Sequence, residues 1–299
     1  MSREPKSPSA KAVYQPTGDE SIAWLRVAPF IALHLGCLGV IWVGVSALSV
    51  WVAVASYLVR AFAVSTFYHR AFSHRAFKAG RATQFTFAVL GAAATQRGPL
   101  WWAAQHRLHH QHADTDADPH SSTRGFWWSH LVWFLTRAGF RTPLHRVRDL
   151  ARFPELRWLN RFDLAAPVGY AMTMYGLGAV LESVYPATNA WQMLVWGYVV
   201  PTVALMHATF FVNSLSHRVG RRRFETADNS RNNALLALAT MGEGWHNNHH
   251  RHAASARLGF YWWQLDLGYL GLRLLETVGL VRELKTPPDA VLREGQPCA

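Results

Sequence analysis

Four long apolar runs limit this chain to a small set of folds. A helix of about 20 residues crosses the ~30 Å apolar core of a bilayer. The first two runs contain one arginine each, Arg26 and Arg60, and the last two contain no charged residue. The runs are 25–47, 48–68, 164–181 and 191–216. A soluble domain could bury one such helix but not four, so the sequence predicts an all-α integral membrane protein with four transmembrane helices.

The arginines predict which side of the membrane each loop occupies. They cluster in the segment 137–161 and again in 218–223, whereas the short turns inside each helix pair carry no basic residue. Basic loops stay on the cytoplasmic side. We therefore expect both termini to be cytoplasmic. The predicted parts are a polar N-terminal tail (1–24), transmembrane pairs at about 25–68 and 164–216, a cytosolic cap at about 69–163 and 217–280, and a C-terminal tail (281–299) that is loose from about Lys285.

Composition excludes several functions. The formal net charge of +12 is explained by the basic cytoplasmic face, and no nucleic-acid-binding motif is present. Such a face would attract anionic lipid head groups. The two cysteines, Cys37 and Cys298, cannot form a disulfide framework or a zinc ribbon. Arginine greatly outnumbers lysine, which favours a bacterial chain and hence a bacterial inner membrane.

Histidines concentrate in three short boxes. These are H-x4-H at 69–74, H-x2-H-H at 106–110 and H-x2-H-H at 246–250. Imidazole is the commonest metal ligand in proteins, and it suits iron, copper, zinc and nickel. Eight or nine imidazoles are too many for one ion and about right for two. The predicted ligands are His69, His74, His106, His109, His110, His246, His249 and His250.

The spacing inside the boxes fits helices. Residues three and four apart share a helix face, so each H-x2-H-H box can direct its histidines into one cavity. Adjacent histidines diverge by about 100° on a helix and can reach two neighbouring ions. His69 and His74 are five apart, so the first box is expected to straddle the end of the second helix. An even number of predicted crossings separates all three boxes, which places them together at the cytoplasmic face.

Other polar residues near the boxes have open roles. His217 lies one helical turn beyond Asn213, and the residues alone do not decide whether it binds metal. His34 and His207 lie within apolar runs and are expected to be packed or hydrogen-bonded. Metal-bound histidine usually donates its other N–H to a carboxylate or carbonyl. The candidate partners are Asp114, Asp116, Asp118 and Glu243, and the aspartates could equally cap a helix or form a turn before Pro119.

The boxes and the sequence segments beside them resemble those of the membrane-bound acyl-CoA desaturases, the stearoyl-CoA (delta-9) desaturase family. The matching segments lie at 67–75, 116–121, 124–130, 213–217 and 242–250. The resemblance implies four membrane helices under a cytoplasmic helical cap that holds two irons. It also implies that one iron takes His69, His74, His106, His110 and His249. The other would take His109, His217, His246 and His250, with Asn213 holding a water.

The same resemblance implies an O2-dependent reaction that inserts a cis double bond into a saturated acyl chain, with delta-9 as the expected position. Acyl-CoA is the expected substrate, and an acyl-lipid is the alternative. Metal-activated oxygen supplies the hard chemistry in such reactions. The sequence has no haem, flavin, nicotinamide or iron–sulfur motif. We therefore expect an external donor, a ferredoxin or flavoprotein reductase or a cytochrome b5.

Two rival functions remain at this stage. A related di-iron alkane or sterol hydroxylase would share the boxes, although the H-x4-H spacing of the first box and the segments beside the boxes favour a desaturase. A metal transporter would place its ligands within the bilayer along a path. Here the boxes are expected beyond the ends of the runs.

A substrate tunnel can also be predicted from the second run. Tyr57 lies 12 residues before His69, which is about 18 Å along a helix. Ala53 is one turn further and shares its face. We expect Ala53 and Tyr57 to form the tunnel floor, with lipid or a neighbouring helix as the alternative surroundings of Tyr57.

Overall fold

The computed structural model describes residues 18–296, and helices dominate them. The α-helices are α1 (Trp24–Gly36), α2 (Val40–Val43), α3 (Ala47–Phe62), α4 (Arg81–Ala92), α5 (Pro99–His112), α6 (Trp133–Leu135), α7 (Arg148–Ala151), α8 (Pro154–Arg161), α9 (Ala165–Glu182), α10 (Ala190–Leu194), α11 (Val200–Ser214), α12 (Ala234–Ala239), α13 (His246–Arg251), α14 (Leu267–Thr277) and α15 (Asp289–Glu294). Three π-helical segments, Ala63–Ser73, Trp128–Val132 and Val195–Val199, join or extend them. Short 3-10 turns occur at Cys37–Gly39, Ser122–Arg124 and Leu144–Arg146.

Three continuous helices are long and apolar enough to cross a membrane. They span Trp24–Val43, Ala47–Ser73 and Ala190–Ser214, with 20, 27 and 25 residues. The third predicted run corresponds to α9, which passes the same test only together with α8, and the two are bent by 76°. The described chain therefore has three candidate spans, or four if the bent pair counts as one. This agrees with the predicted all-α membrane fold at that level.

The first two candidate spans are separated by a tight turn. Gly44 has a φ of 66°, a left-handed conformation that favours glycine. Ser46 then caps α3, because its side chain accepts from the backbone N–H of Ser49 at 3.1 Å while Ser49 Oγ accepts from the Ser46 N–H at 3.0 Å. This reciprocal capping box fixes where the second span begins.

The second span runs further than its apolar sequence. It continues as the buried π-helix Ala63–Ser73, so His69 lies inside the helix and His74 sits at its C-cap. The first box thus straddles the helix end as expected, but His69 is not beyond the span. Phe67 and Tyr68 on this segment are fully buried in the core that packs against α5. Because α5 carries the second box, this packing brings the first two boxes together.

The C-terminal residues form part of the fold. β1 (Lys78–Ala79) pairs antiparallel with β2 (Val281–Arg282), and the Lys285 N–H donates to the Ala76 carbonyl at 2.9 Å. Helix α15 follows, and its Val291 is buried. The expectation of a loose tail is therefore wrong for residues 285–296, because the backbone hydrogen bond of Lys285 and the apolar burial of α15 fix them. Residues 297–299, like most of the predicted N-terminal tail (1–17), lie outside the described residues.

Candidate metal centre

Five histidines from three elements converge in a first group, called group A here. Their ligand nitrogens all lie within 4.8 Å of one another. The first box supplies two rings from the end of the second span, α5 supplies two, and α13 supplies one. The members of group A are His69, His74, His106, His110 and His249.

A second group, called group B here, lies beside group A and contains four histidines. One ring comes from α5, one from the turn after α11, and two from α13; their ligand nitrogens also lie within 4.8 Å of one another. The members of group B are His109, His217, His246 and His250. Adjacent histidines of α5 and of α13 thus point into different groups, since neighbours diverge by about 100° on a helix. These are the two sets of histidines that the family resemblance implies.

The nitrogens within group A converge more closely than hydrogen bonding can explain. His249 Nε2 lies 2.9 Å from His69 Nε2 and 2.8 Å from His110 Nε2. A single ring proton on His249 Nε2 could serve only one of these contacts. Two imidazole nitrogens bound at right angles to one ion, each about 2.1 Å from it, would be about 3 Å apart. The donor set of group A therefore fits a metal ion.

Group B fits a cation for a related reason. His109 donates its Nδ1 proton to Asp118 at 2.9 Å, and His250 donates its own to Asp228 at 2.8 Å. In neutral rings the two Nε2 atoms, 3.4 Å apart, would then face each other with lone pairs. Such an arrangement needs a positive charge between the rings, as a further proton or a metal ion.

Four carboxylates contact histidines of the two groups through Nδ1, the ring nitrogen that does not face the other rings of the group. Asp118 and Asp228 hold His109 and His250, as described above. Asp114 accepts from His217 Nδ1 at 2.8 Å, and Glu243 contacts His69 Nδ1. Three of these acids were candidates from the sequence, whereas Asp116 is exposed and away from the rings. Such partners fix ring orientation and raise ligand basicity.

Asp228 was missed by the sequence analysis. It lies in the polar loop between α11 and α12, and its Oδ1 accepts from the Ser230 N–H at 2.8 Å. Its only sequence signal was its position as an acid in the loop between two ligand segments. Burial alone would raise the pKa of Asp228, but the hydrogen bond and charge of His250, together with the hydrogen bonds from Ser230, outweigh burial and hold the pKa well below its usual range.

Burial tunes most of the rings toward the neutral form that binds metal. It lowers the pKa of His74, His106 and His110 well below the ordinary value. His250 is lowered to about 4, again mainly by burial. His109 differs: burial lowers its pKa, but the hydrogen bond and charge of Asp118, together with the charges of Asp114 and Asp228, outweigh burial and raise it. The aspartates beside group B therefore favour a positive charge at His109.

The carboxylate behind His69 is itself anchored. Arg70 Nη1 donates to the carbonyl of Ala256 at 2.8 Å and to Asp266 at 3.1 Å, while Nη2 lies 3.5 Å from Glu243. Asp266 also caps α14 by accepting from the Tyr269 N–H. The orientation of His69 is thus tied to the position of α14.

Three histidines outside the two groups form a separate chain of contacts. His34 Nδ1 donates to the Phe30 carbonyl at 2.7 Å, and its Nε2 lies 3.0 Å from His207 Nε2. His207 Nδ1 in turn lies 3.0 Å from His130 Nε2. The prediction that His34 and His207 are hydrogen-bonded is confirmed.

Two cavities meet at the metal centre. The larger has a volume of about 640 Å³, within the usual range for small-molecule sites, and is lined by Trp, Phe and Leu side chains interspersed with polar ones. The smaller measures about 40 Å³ and is lined by residues of both groups. Both cavities are lined by Trp102, His106, Thr209 and Asn213. An apolar chain in the larger cavity would therefore reach group A and Asn213.

The predicted tunnel floor lies off both cavities. Neither Ala53 nor Tyr57 lines them. Tyr57 packs against a buried cluster that includes Ala61 and Leu205, two residues that line the smaller cavity. Its hydroxyl donates to the Ala239 carbonyl at 2.7 Å. The role of Ala53 and Tyr57 as a floor stays a prediction, with Tyr57 one layer behind the cavity wall.

Comparisons with known proteins identify the family. The family model "Fatty acid desaturase" matches residues 46–274. The sn-2 palmitoyl-lipid 9-desaturase of Nostoc sp. (strain 36) is 36% identical over 273 residues, which cover 89% of this chain and 92% of the relative. The sn-1 stearoyl-lipid 9-desaturase of Anabaena variabilis is 33% identical over 273 residues, covering 88% and 94%. An acyl-CoA 5-desaturase of Anemone leveillei is 36% identical over 248 residues, covering 82% and 74%.

The family match spans most of the chain, both cyanobacterial relatives are covered almost end to end, and the histidine groups lie within the matched region. The chain therefore belongs to the fatty acid desaturase family.

Proposed function

We propose that this protein is an O2-dependent di-iron desaturase that inserts a cis double bond into a saturated acyl chain of a membrane lipid. One observation carries the proposal: two adjacent histidine groups that suit two metal ions lie beside a mostly apolar cavity of about 640 Å³, which His106 of group A lines. By analogy with the 9-desaturase relatives, the bond would form between the ninth and tenth carbons. Two bound irons would supply the oxygen chemistry that side chains cannot.

The protein's own residues would hold the irons and position the acyl chain. Groups A and B would be the ligand sets, and Asn213 would hold a water beside group B. The four carboxylates would keep the rings in the tautomer that offers Nε2 to the metal. The aromatic wall of the cavity, including Trp102 and Phe210, would exclude bulk water and hold methylenes beside His106.

The cavity rim supports a lipid rather than a soluble thioester as the acyl carrier. Leu25 and Leu164 line the cavity and are 87% and 50% exposed. Leu25 lies in the first turn of α1 and Leu164 directly precedes α9, so the rim adjoins two helices that would enter the bilayer. A lipid could then enter sideways from the membrane.

The same rim favours an anionic head group. Arg157 and Arg161 line the cavity, are exposed, and form no ion pair with any described residue. Exposed guanidinium groups recognise phosphate through paired N–H donors. A phospholipid fits this rim better than an uncharged glycolipid. Acyl-CoA, which also carries phosphates, remains the alternative substrate.

Electrons must come from a separate protein, because the chain contains no haem, flavin, nicotinamide or iron–sulfur motif. A ferredoxin with its flavoprotein reductase, or a cytochrome b5, would supply two electrons per double bond. The partner would dock on the face that carries groups A and B.

We also propose that both termini and the histidine groups face the cytoplasm of a bacterial inner membrane. The one-sided distribution of arginine supports this orientation. Reporter fusions at the N-terminus, near Arg148 and at the C-terminus should all report inside, and a fusion near Pro186 should report outside. An outside signal near Arg148 would contradict the shared cytoplasmic site.

Fatty-acid analysis of cells with and without the gene tests the function. We expect a new cis alkene at a fixed distance from the carboxyl end, and an alcohol product would instead identify a hydroxylase. Purified protein supplied with saturated phosphatidylglycerol, galactolipid or acyl-CoA then distinguishes the carriers. Turnover of acyl-CoA alone would overturn the lipid assignment.

A further inference from the structure

Arg60 is a buried cation in the second candidate span. Its side chain is fully buried, and no described carboxylate pairs with it. Charged residues inside a membrane are rare and usually functional. Neither the ligand groups nor the cavity walls include Arg60, so its presence needs another explanation.

Neutral groups from three elements compensate the charge. Arg60 Nε donates to the Ser56 carbonyl at 3.0 Å, and Nη1 donates to the Ala93 carbonyl at 3.2 Å and to Thr202 Oγ1 at 2.5 Å. The guanidinium also lies over the rings of Tyr170 and Tyr198, 4.9 and 5.7 Å from their centroids. Cations are attracted to aromatic faces.

These contacts lead to the loop between α4 and α5. Ala93, which accepts from Arg60, is the C-cap of α4. Two residues later, Thr95 Oγ1 lies 3.1 Å from the Tyr198 hydroxyl, so the ring that covers the cation also pairs with the loop. Thr95 and Arg97 have φ values of 59° and 69°, which non-glycine residues adopt only when their surroundings impose them.

The same loop forms part of the cavity wall. Thr95, Gln96 and Arg97 line the larger cavity, and Gln96 Nε2 donates to Thr209 Oγ1 at 2.9 Å. Helix α5, which carries His106, begins at Pro99 directly after the loop. A displacement of this loop would change both the cavity and its distance from group A.

We propose that Arg60, with Tyr198 and Thr202, is a positioning residue that fixes the loop 93–98 and thereby sets which carbons of the acyl chain reach the metal centre. The proposal rests on the desaturase function proposed above. Arg60 itself touches neither substrate nor metal.

Two near-isosteric substitutions separate positioning from general stability. Tyr198→Phe removes the hydroxyl that pairs with Thr95 and keeps the ring over Arg60. Tyr170→Phe is the matched control, because its hydroxyl pairs with Ser56 Oγ at 2.9 Å and not with the loop. Arg60→Met removes the charge and all donors, and Arg60→Lys restores the charge.

The positions of the product double bonds and the amide hydrogen exchange of residues 94–98 are measured in each variant, with metal content as the check of folding. Tyr198→Phe should keep both metals. Its loop amides should exchange about fivefold faster, as expected for the loss of one net hydrogen bond, and severalfold more of its product should carry the double bond at neighbouring carbons. Arg60→Met should give product double bonds over a still wider range of carbons, and Arg60→Lys should narrow that range again. Tyr170→Phe should match the wild type in both measurements.

The proposal would be overturned if Tyr198→Phe left both the double-bond positions and the hydrogen exchange of the loop unchanged. It would also be overturned if Tyr170→Phe spread the double-bond positions as much as Tyr198→Phe does. If Arg60→Met does not fold, the two tyrosine variants decide. A wild-type protein that forms no alkene contradicts the proposed function instead. Loop exchange, which needs no turnover, then still decides whether Arg60 and Tyr198 fix the loop 93–98.

Discussion

Replacing Asp228 by Asn should weaken the metal site of group B and leave that of group A intact. The side chains of Asp228 and His250 are 11% and 2% exposed, so solvent screens their 2.8 Å contact little. Asn keeps the shape and can still accept from His250 Nδ1, so the substitution removes mainly the charge. Loss of such a partner typically weakens metal binding 10- to 100-fold, or about 1.4–2.7 kcal/mol.

The effect should be confined to one ion because the acids are distributed unevenly. Three of the four rings of group B contact an aspartate, whereas His69 is the one ring of group A that contacts a described carboxylate. Anaerobic titration of the purified protein with Fe²⁺ or Co²⁺ should show two equivalents in the wild type. In Asp228→Asn, one equivalent should bind normally and the other more weakly.

Asp116→Asn is the matched control. Asp116 is exposed, and its side chain forms no ion pair or hydrogen bond with another described residue. The control should bind both equivalents as the wild type does. Wild-type affinity for both metals in Asp228→Asn, or equal weakening in Asp116→Asn, would refute the role assigned to this carboxylate.

Three further predictions follow from the site. His217→Ala should abolish turnover, and an enzyme assay showing most activity retained would remove His217 from the ligand set while leaving the three boxes in place. Burial lowers the pKa of His250 to about 4 in the metal-free protein, below the ~6.5 of an unfolded chain. The contribution of this ring to the unfolding free energy should therefore be steady above pH 6.5 and decrease by up to ~1.4 kcal/mol per pH unit as pH falls toward 4; a metal-free melting temperature that does not change between pH 6.5 and 4 would contradict this. Tyr57→Ala should shift preference to longer acyl chains with the double bond at an unchanged distance from the carboxyl end, and Ala53→Trp should shorten the preferred chain; product profiles that match the wild type in both active variants would exclude this face as the tunnel floor.

Sequence reasoning located the candidate spans and the histidine groups because both depend on local patterns. An apolar run is visible within 20 residues, and the 3-and-4 spacing of His106, His109 and His110 reveals a shared helix face. The bend between α8 and α9 was not predicted, because the polar sequence of α8 gives no sign that this helix leads into an apolar one. The length of the second span was also underestimated, because tertiary packing extends the helix past the apolar run to Ser73.

Contacts between distant segments could not be predicted in the same way. Asp228 contacts His250 across 22 residues of chain, and the hydrogen bonds of Arg60 join elements more than 30 residues apart. No periodicity marks such pairs. The C-terminal residues were misjudged for a related reason: Val281 and its neighbours have a partner strand near Lys78, some 200 residues earlier.

Metal content and product formation, measured on one purified preparation with an added electron donor, test the di-iron proposal most directly. We expect two irons per chain, O2 consumption coupled to double-bond formation in a lipid acyl chain, and loss of both activities when the iron is removed. Full activity in a preparation that binds a single metal per chain, or alkene formation that continues without O2, would contradict the proposal.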